Sequence, residues 1–235
     1  MNSEESKKII AVHQPNYIPW LGYFYKIYQS DIFVFLDDAQ FSNEGMHNYA
    51  YIKTQSGSFR LKYPVLQSLG DKINEVRSKD ELGWKGKHLA ILESNYCEAN
   101  YFREVYNDYK ELILKEYLSI ASLNIALIKF FAEKLGIKAE YTVGSDLNIN
   151  STREEKIIAI CSALGGNIYY SGTGAKAYQK EENFRSFGID LRYSVFKPFQ
   201  YQQLWEGFQS NITSLDFFMN CGYDWNRVLD SQNQE

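Results

Sequence analysis

Two short β-forming runs enclose a helix-length segment near the start of the chain, and that spacing constrains the fold more than any other feature. Ile9-Ile10-Ala11-Val12 is an apolar run ending at a proline-containing turn. Asp31 to Leu36 (DIFVFL) is a second run, closed by Asp37-Asp38. Ile18 to Gln29 between them is read as a helix, with Pro19 tolerated in its first turn. Strand, helix and strand within about 30 residues make a βαβ unit, whose parallel strands are buried on both faces. The expectation is an α/β fold: a largely parallel sheet flanked by helices, Rossmann-like, with a small mixed or hairpin insertion.

The later segments extend that pattern. Phe41 to Val65 is polar and carries β-like pieces at Ala50–Lys53 and Phe59–Val65 around Ser56-Gly57, which predicts a hairpin. Residues 66–83 have mixed charge and no period, as a surface loop would. Trp84 to Tyr117 reads as helical with a break near Glu98–Asn100, and Ala121 to Leu135 as an amphipathic helix stopped by Gly136. Ala139–Val143 is a short strand. Ser151-Thr152 ahead of Glu154-Glu155 predicts a helix start, with the helix running through Leu164. Ile168–Tyr170 is a strand, Ala175–Phe187 a helix and Leu191–Phe196 the closing strand. No linker or repeat divides the sequence, so residues 1–235 are expected to form one α/β domain.

Composition narrows the function classes. Acidic residues outnumber basic ones 29 to 25, giving a net charge of −4 without Lys/Arg clusters, so nucleic acid is not an expected partner. No apolar run approaches the roughly 20 residues of a membrane span, and the opening MNSEESKK lacks a secretory leader's apolar stretch. Cys97, Cys161 and Cys221 are odd in number and widely spaced, which fits neither a disulfide framework nor a zinc site. His13, His47 and His88 show no metal-ligand spacing either, and no metal site is expected. A cytoplasmic location follows as an expectation. Aromatic residues reach 16% of the chain, with 19 Tyr and 15 Phe. Tyrosine suits wet surfaces that hold sugars or bases; codon bias of a low-GC genome would produce the same enrichment.

The densest polar feature is His13-Gln14-Pro15-Asn16-Tyr17-Ile18-Pro19-Trp20-Leu21-Gly22-Tyr23, directly after the first strand. Prolines stiffen such a loop, and a loop leading from a strand's carboxyl end is where open α/β sheets bind ligands. His13 is a candidate general base or anion donor, with Gln14, Asn16 and Tyr17 as neutral hydrogen-bonding groups. Trp20 and Tyr23 either face a ligand or pack in the core. Asp37 and Asp38, followed by Gln40, stand at the second strand's end, either as acid–base and binding groups or as turn caps. Asn48 and Lys53 are placed to reach over the same crevice, Lys53 as a cation for a phosphorylated or carboxylated ligand. Ser171-Gly172-Thr173-Gly174 forms a strand-to-helix glycine loop, either a phosphate cradle or an ordinary tight turn. No GxSxG nucleophile elbow is present.

His13 to Lys26, Asp31-Ile32-Phe33-Val34 through Asp37-Asp38-Ala39-Gln40-Phe41, Asn48 with Ile52-Lys53, and Trp84 with Lys87-His88 resemble successive blocks of the WbqC-like proteins. Gly165 to Gly172, Tyr178, Phe184, Tyr201, Gln203 and Ser214-Leu215-Asp216 resemble the C-terminal blocks. The chain departs at Tyr49, where the family usually has Arg. The resemblance implies a bacterial setting in O-antigen (lipopolysaccharide) and related surface-glycan synthesis, beside enzymes that make nucleotide-linked 4-amino-4,6-dideoxy sugars. It adds Tyr201 to the candidate substrate-binding residues. The expected activity is a transferase placing an acyl or aminoacyl group, such as glycyl, on the amine of a dTDP-linked amino sugar. An acyl or aminoacyl donor would be its second substrate. Two alternatives stay open: an ATP- and Mg²⁺-dependent nucleotidyltransferase or adenylate-forming amide ligase, and a noncatalytic sugar-nucleotide binder.

Overall fold

Short strands of branched and aromatic residues, apolar on both faces, need helices above and below, and the chain supplies them. The computed structural model describes residues 7–233, so the opening segment in which no leader was expected, residues 1–6, lies outside the described residues. The first elements are β1 (Ile9–His13), α1 (Leu21–Tyr28), β2 (Ile32–Phe35), β3 (Tyr49–Thr54), β4 (Gly57–Lys62), β5 (Val65–Leu66) and β6 (Arg77–Ser78). Three helices follow: α2 (Trp84–Tyr96), α3 (Phe102–Ile113) and α4 (Ile120–Lys134). The rest comprises β7 (Glu140–Val143), α5 (Arg153–Ala163), β8 (Ile168–Gly172), α6 (Glu181–Arg185), β9 (Asp190–Ser194), α7 (Ser214–Cys221) and α8 (Trp225–Asn233).

These elements fall into two compact units. The first comprises Met1–Gln14, Gly22–Asp38 and Ile137–Phe196; the second comprises Pro15–Leu21, Ala39–Gly136 and Lys197–Glu235. Among the described residues, the first unit holds a five-stranded sheet in the order β7-β2-β1-β8-β9, parallel throughout. The fold is therefore α/β, with a parallel sheet between helices. On one face Ile10, Val12, Ile32, Val34, Tyr169 and Leu191 pack with Ile158 and Cys161 of α5 and Phe184 of α6. Strand alternation turns Phe33 to the opposite face, where the ring of Tyr23 on α1 meets it at 5.4 Å. Gly166 lets β8 enter beside this core, because a Cβ there would stand 2.2 Å from Ile10 Cγ1.

The second unit contains the hairpin β3–β4, antiparallel from Tyr49↔Lys62 to Thr54↔Gly57, and a set of helices. Its core is aromatic: Tyr63 stacks on Trp84 at 4.3 Å, and Phe131 meets Phe218 at 5.3 Å. Ser119 caps α4 in a reciprocal box with Ser122.

Three segments differ from the sequence reading. Helix α1 begins at Leu21 because Pro19 disfavours the helical region at the residue before it, and Ile18 takes φ 42° instead. The expected helix 175–187 shrinks to Glu181–Arg185, because Gln179 folds back to accept a hydrogen bond from Ser171 Oγ at 2.9 Å. Within 66–83, β5 and β6 form a two-residue antiparallel pair that the mixed charge pattern does not signal.

Candidate functional site

The sheet unit is built outward from β1, first through β2 to β7 on one side, then through β8 to β9 on the other. Its strand order reverses between β1 and β8, the place where open α/β sheets bind ligands outside the strands' carboxyl ends. Pairing between β1 and β8 stops at Ala11↔Tyr170. Pairing of β1 with β2 continues to His13↔Phe35, and that of β8 with β9 to Gly172↔Ser194. The two central carboxyl ends therefore part, and a cavity of about 870 Å³ opens there. It is lined by Val12, His13, Gln14 and Leu36, by Arg153, Glu154 and Ile157 of α5, and by Tyr169, Ala175, Tyr178 and Gln179 of β8 and its following loop. That volume lies within the few hundred to about 1,000 Å³ typical of small-molecule sites.

His13 Nδ1 lies 3.0 Å from the carbonyl of Gln14, and its ring packs edge-on against Tyr23 at 4.7 Å. A carbonyl only accepts, so Nδ1 carries the proton in this contact. Tyr23, buried at 2% exposure, donates its hydroxyl to the same Gln14 carbonyl at 3.0 Å. The ring fixes the His13–Gln14 turn from behind. Lys26, on α1 and buried, donates from Nζ to the Val12 carbonyl at 2.9 Å. Burial pushes its ammonium down to about 7.

The acidic pair follows β2 but has its own commitments. Asp37 is buried and accepts from Ser145 N at 2.9 Å and Ser145 Oγ at 2.7 Å. Asp38 forms an ion pair with Lys156 at 2.5 Å, both side chains mostly shielded. Lys156 precedes cavity-lining Ile157, so the pair anchors α5 at the cleft. Glu154 accepts from Lys180 N and Asn183 Nδ2, tying the start of α5 to the start of α6. Arg153 opens α5 at φ 53°, a left-handed conformation that a non-glycine residue adopts at a cost of about 1 kcal/mol or more.

In the glycine loop, Ser171 is fully buried and holds Gln179. Gly172 has an ordinary negative φ of −76°, and Thr173 begins a short turn. The cavity wall is formed after them, by Ala175, Tyr178 and Gln179.

The remaining candidates belong to the second unit. Lys53, at 1% exposure, donates from Nζ to the carbonyls of Trp205 and Gly207. Its backbone N–H donates to Tyr96 Oη at 2.9 Å. Tyr201 donates to Asp216 Oδ1 at 2.8 Å; Gln203 reaches the same oxygen and Tyr96 the other. Burial raises the Asp216 carboxyl, while the hydroxyls of Tyr201 and Tyr96 and the amide of Gln203 oppose the rise. These groups fasten the long irregular segment around Trp205 to β3 and α7.

Tyr17 is fully buried, with its hydroxyl against His88 Nδ1 at 2.9 Å and against the hydroxyl of Tyr109. Asn48 donates to the Tyr63 carbonyl at 2.8 Å. Asn16 is 8% exposed, Trp20 is half-buried, and exposed Gln40 pairs through its backbone with Lys72.

Residues 14–228 match the model of the WbqC-like protein family. The chain belongs to that family. A Mycobacterium tuberculosis (strain ATCC 25618 / H37Rv) relative, uncharacterized protein Rv1507c, is 30% identical over 219 residues, covering 92% of this chain and 94% of the relative. No solved structure matches the chain significantly. Membership of the WbqC-like family suggests a role in polysaccharide biosynthesis. Among the described residues, no helix is long and apolar enough to cross a membrane.

Two features of this WbqC-like chain escape the sequence pattern. At Tyr49, where the family resemblance leads one to expect Arg, the buried ring carries the guanidinium of Arg60 at 3.7 Å from its centroid. The α5 contribution to the cleft, Arg153, Glu154 and Ile157, reads in sequence only as a helix start. Tyr178 gives a clearer signal after the fact, as a tyrosine 84% exposed on the cleft rim.

Proposed function

We propose that this chain is a cytoplasmic transferase of surface-polysaccharide synthesis. It places an acyl or aminoacyl group, such as glycyl, on the amine of a dTDP-linked 4-amino-4,6-dideoxy sugar. One observation carries the reading: a cavity of about 870 Å³ at the strand-order reversal, with His13 and Gln14 on its wall. In this reading the sugar amine attacks the carbonyl carbon of an activated donor, and His13 Nε2 accepts the proton released as the C–N bond forms. The donor's leaving group departs with the electron pair of the broken bond. Support for His13 as base comes from its Nδ1 contact to the Gln14 carbonyl, which orients the ring on the cavity wall. Asp37 and Asp38 act as positioning residues through Ser145 and Lys156. Gln14 and Gln179 supply neutral donors, and Arg153 supplies a cation for the developing oxyanion or the sugar-linked phosphates.

The test is turnover of a dTDP-4-amino sugar with activated acyl and aminoacyl donors, read by mass spectrometry. The expected product is the N-acylated sugar nucleotide. Absence of product with every donor, together with absence of sugar-nucleotide binding, contradicts the proposal. A histidine at the end of the first strand, beside the strand-order reversal, also favours a second reading as an ATP-dependent nucleotidyltransferase or amide ligase. Strict dependence of turnover on ATP and Mg²⁺ would select it.

A further inference from the structure

We propose that Lys26 supplies the positive charge on which an anionic group of the ligand, the diphosphate of the sugar nucleotide, settles at the parted ends of β1 and β8. The inference rests on the sugar-nucleotide reading of the cleft and assigns the charge that would recognise that substrate.

Strand geometry locates the charge. Successive carbonyls along a strand point to opposite sides. The His13 carbonyl accepts from Leu36 N at 2.8 Å on the β2 side, so the Val12 carbonyl turns toward β8. That carbonyl lies beyond the last β1–β8 pair, Ala11↔Tyr170. Lys26 Nζ takes the place a β8 amide would fill in a longer ladder, at 2.9 Å. The ammonium thus sits one hydrogen bond behind the cavity wall, on the carbonyl of Val12, a residue that lines the cavity although Lys26 itself does not.

Its surroundings explain why a charge matters there. Lys26 is only 4% exposed, and among the described residues no carboxylate forms an ion pair with it. A buried ammonium without a counter-charge is costly. Capping one carbonyl requires a donor, not a cation. A ligand anion at the cleft floor would provide the missing counter-charge.

The experiment compares dTDP with thymidine by titration calorimetry on the full chain, in wild type, Lys26→Met and Lys26→Gln. Glutamine keeps a donor without the charge. Wild type is expected to bind dTDP more tightly than thymidine. Both variants should weaken dTDP roughly tenfold to a hundredfold, the range of a charge-assisted contact, and leave thymidine within about twofold. Folded variants that bind dTDP as wild type does overturn the role of Lys26 while leaving the sugar-nucleotide reading intact. A wild type that binds neither compound overturns both. If the variants do not fold, wild type labelled with [ε-¹³C]lysine decides the matter. Saturating dTDP, but not thymidine, should raise the titration midpoint of Lys26, and an unmoved midpoint overturns the proposal.

Discussion

Replacing Lys26 by methionine should make the protein more stable in mild acid, and the gain should fade as the pH rises. Burial lowers the ammonium from its ordinary 10.5 to about 7. That displacement corresponds to about 5 kcal/mol of unfavourable charging in the folded state. Below pH 6 lysine is protonated in both states, and the whole penalty is present. Between about 7 and 10.5 the unfolded chain binds the proton and the folded chain does not, so wild-type stability rises with pH. Methionine retains the buried stem but loses the bond to the Val12 carbonyl, at a cost of about 1–3 kcal/mol.

The variant should therefore be about 2–4 kcal/mol more stable than wild type at pH 5.5. At pH 9.5 the remaining penalty is about 1 kcal/mol, and the variant should be equal to wild type or up to about 2 kcal/mol less stable. Urea titrations of both proteins at the two pH values, followed by circular dichroism, give the difference directly. A variant that is less stable at both pH values by the same amount would refute the reasoning. Such a result would mean that the ammonium is neutralised in the fold. Stability gained together with dTDP affinity lost is the expected signature of a charge retained for binding.

Other substitutions read other parts of the structure. His13→Ala should lower kcat by about 10²–10⁴ while leaving the circular dichroism spectrum unchanged; an unchanged rate removes His13 from the chemistry. Gly166→Ala places a Cβ 2.2 Å from the buried Ile10 Cγ1. It should lower unfolding stability by about 1–3 kcal/mol in a urea titration. Asp216→Ala removes the acceptor shared by Tyr96, Tyr201 and Gln203. A loss of about 3–5 kcal/mol is expected, and protease nicking should begin in the segment around Trp205 that this network fastens.

The parts of the fold legible in sequence were those fixed by local chemistry. β1 and β2 showed as unbroken apolar runs because a central parallel strand is buried on both faces. The hairpin showed through Ser56-Gly57, and Gly57 adopts φ 100° there. His13 and Gln14 could be placed because both stand at a strand's carboxyl end, a position that local pattern defines. The destination of Lys53 depended on residues more than 150 positions away, the carbonyls of Trp205 and Gly207, and no spacing rule reaches so far. For the same reason the sequence left Asp38 between an acid–base group and a turn cap, and its partner Lys156, 118 positions on, was out of reach of any local pattern. Lys26 appeared in sequence only as the end of the block that opens at His13, because the parting of β1 and β8 beside its ammonium is a property of the sheet.

A crystal structure of the chain with a dTDP-linked 4-amino sugar tests the central claim most directly. Density for the nucleotide sugar should lie across the carboxyl ends of β1 and β8, with its amine within hydrogen-bonding reach of His13 Nε2. Well-defined density elsewhere on the molecule, with the space beside Val12 and Tyr169 filled only by solvent, would contradict it.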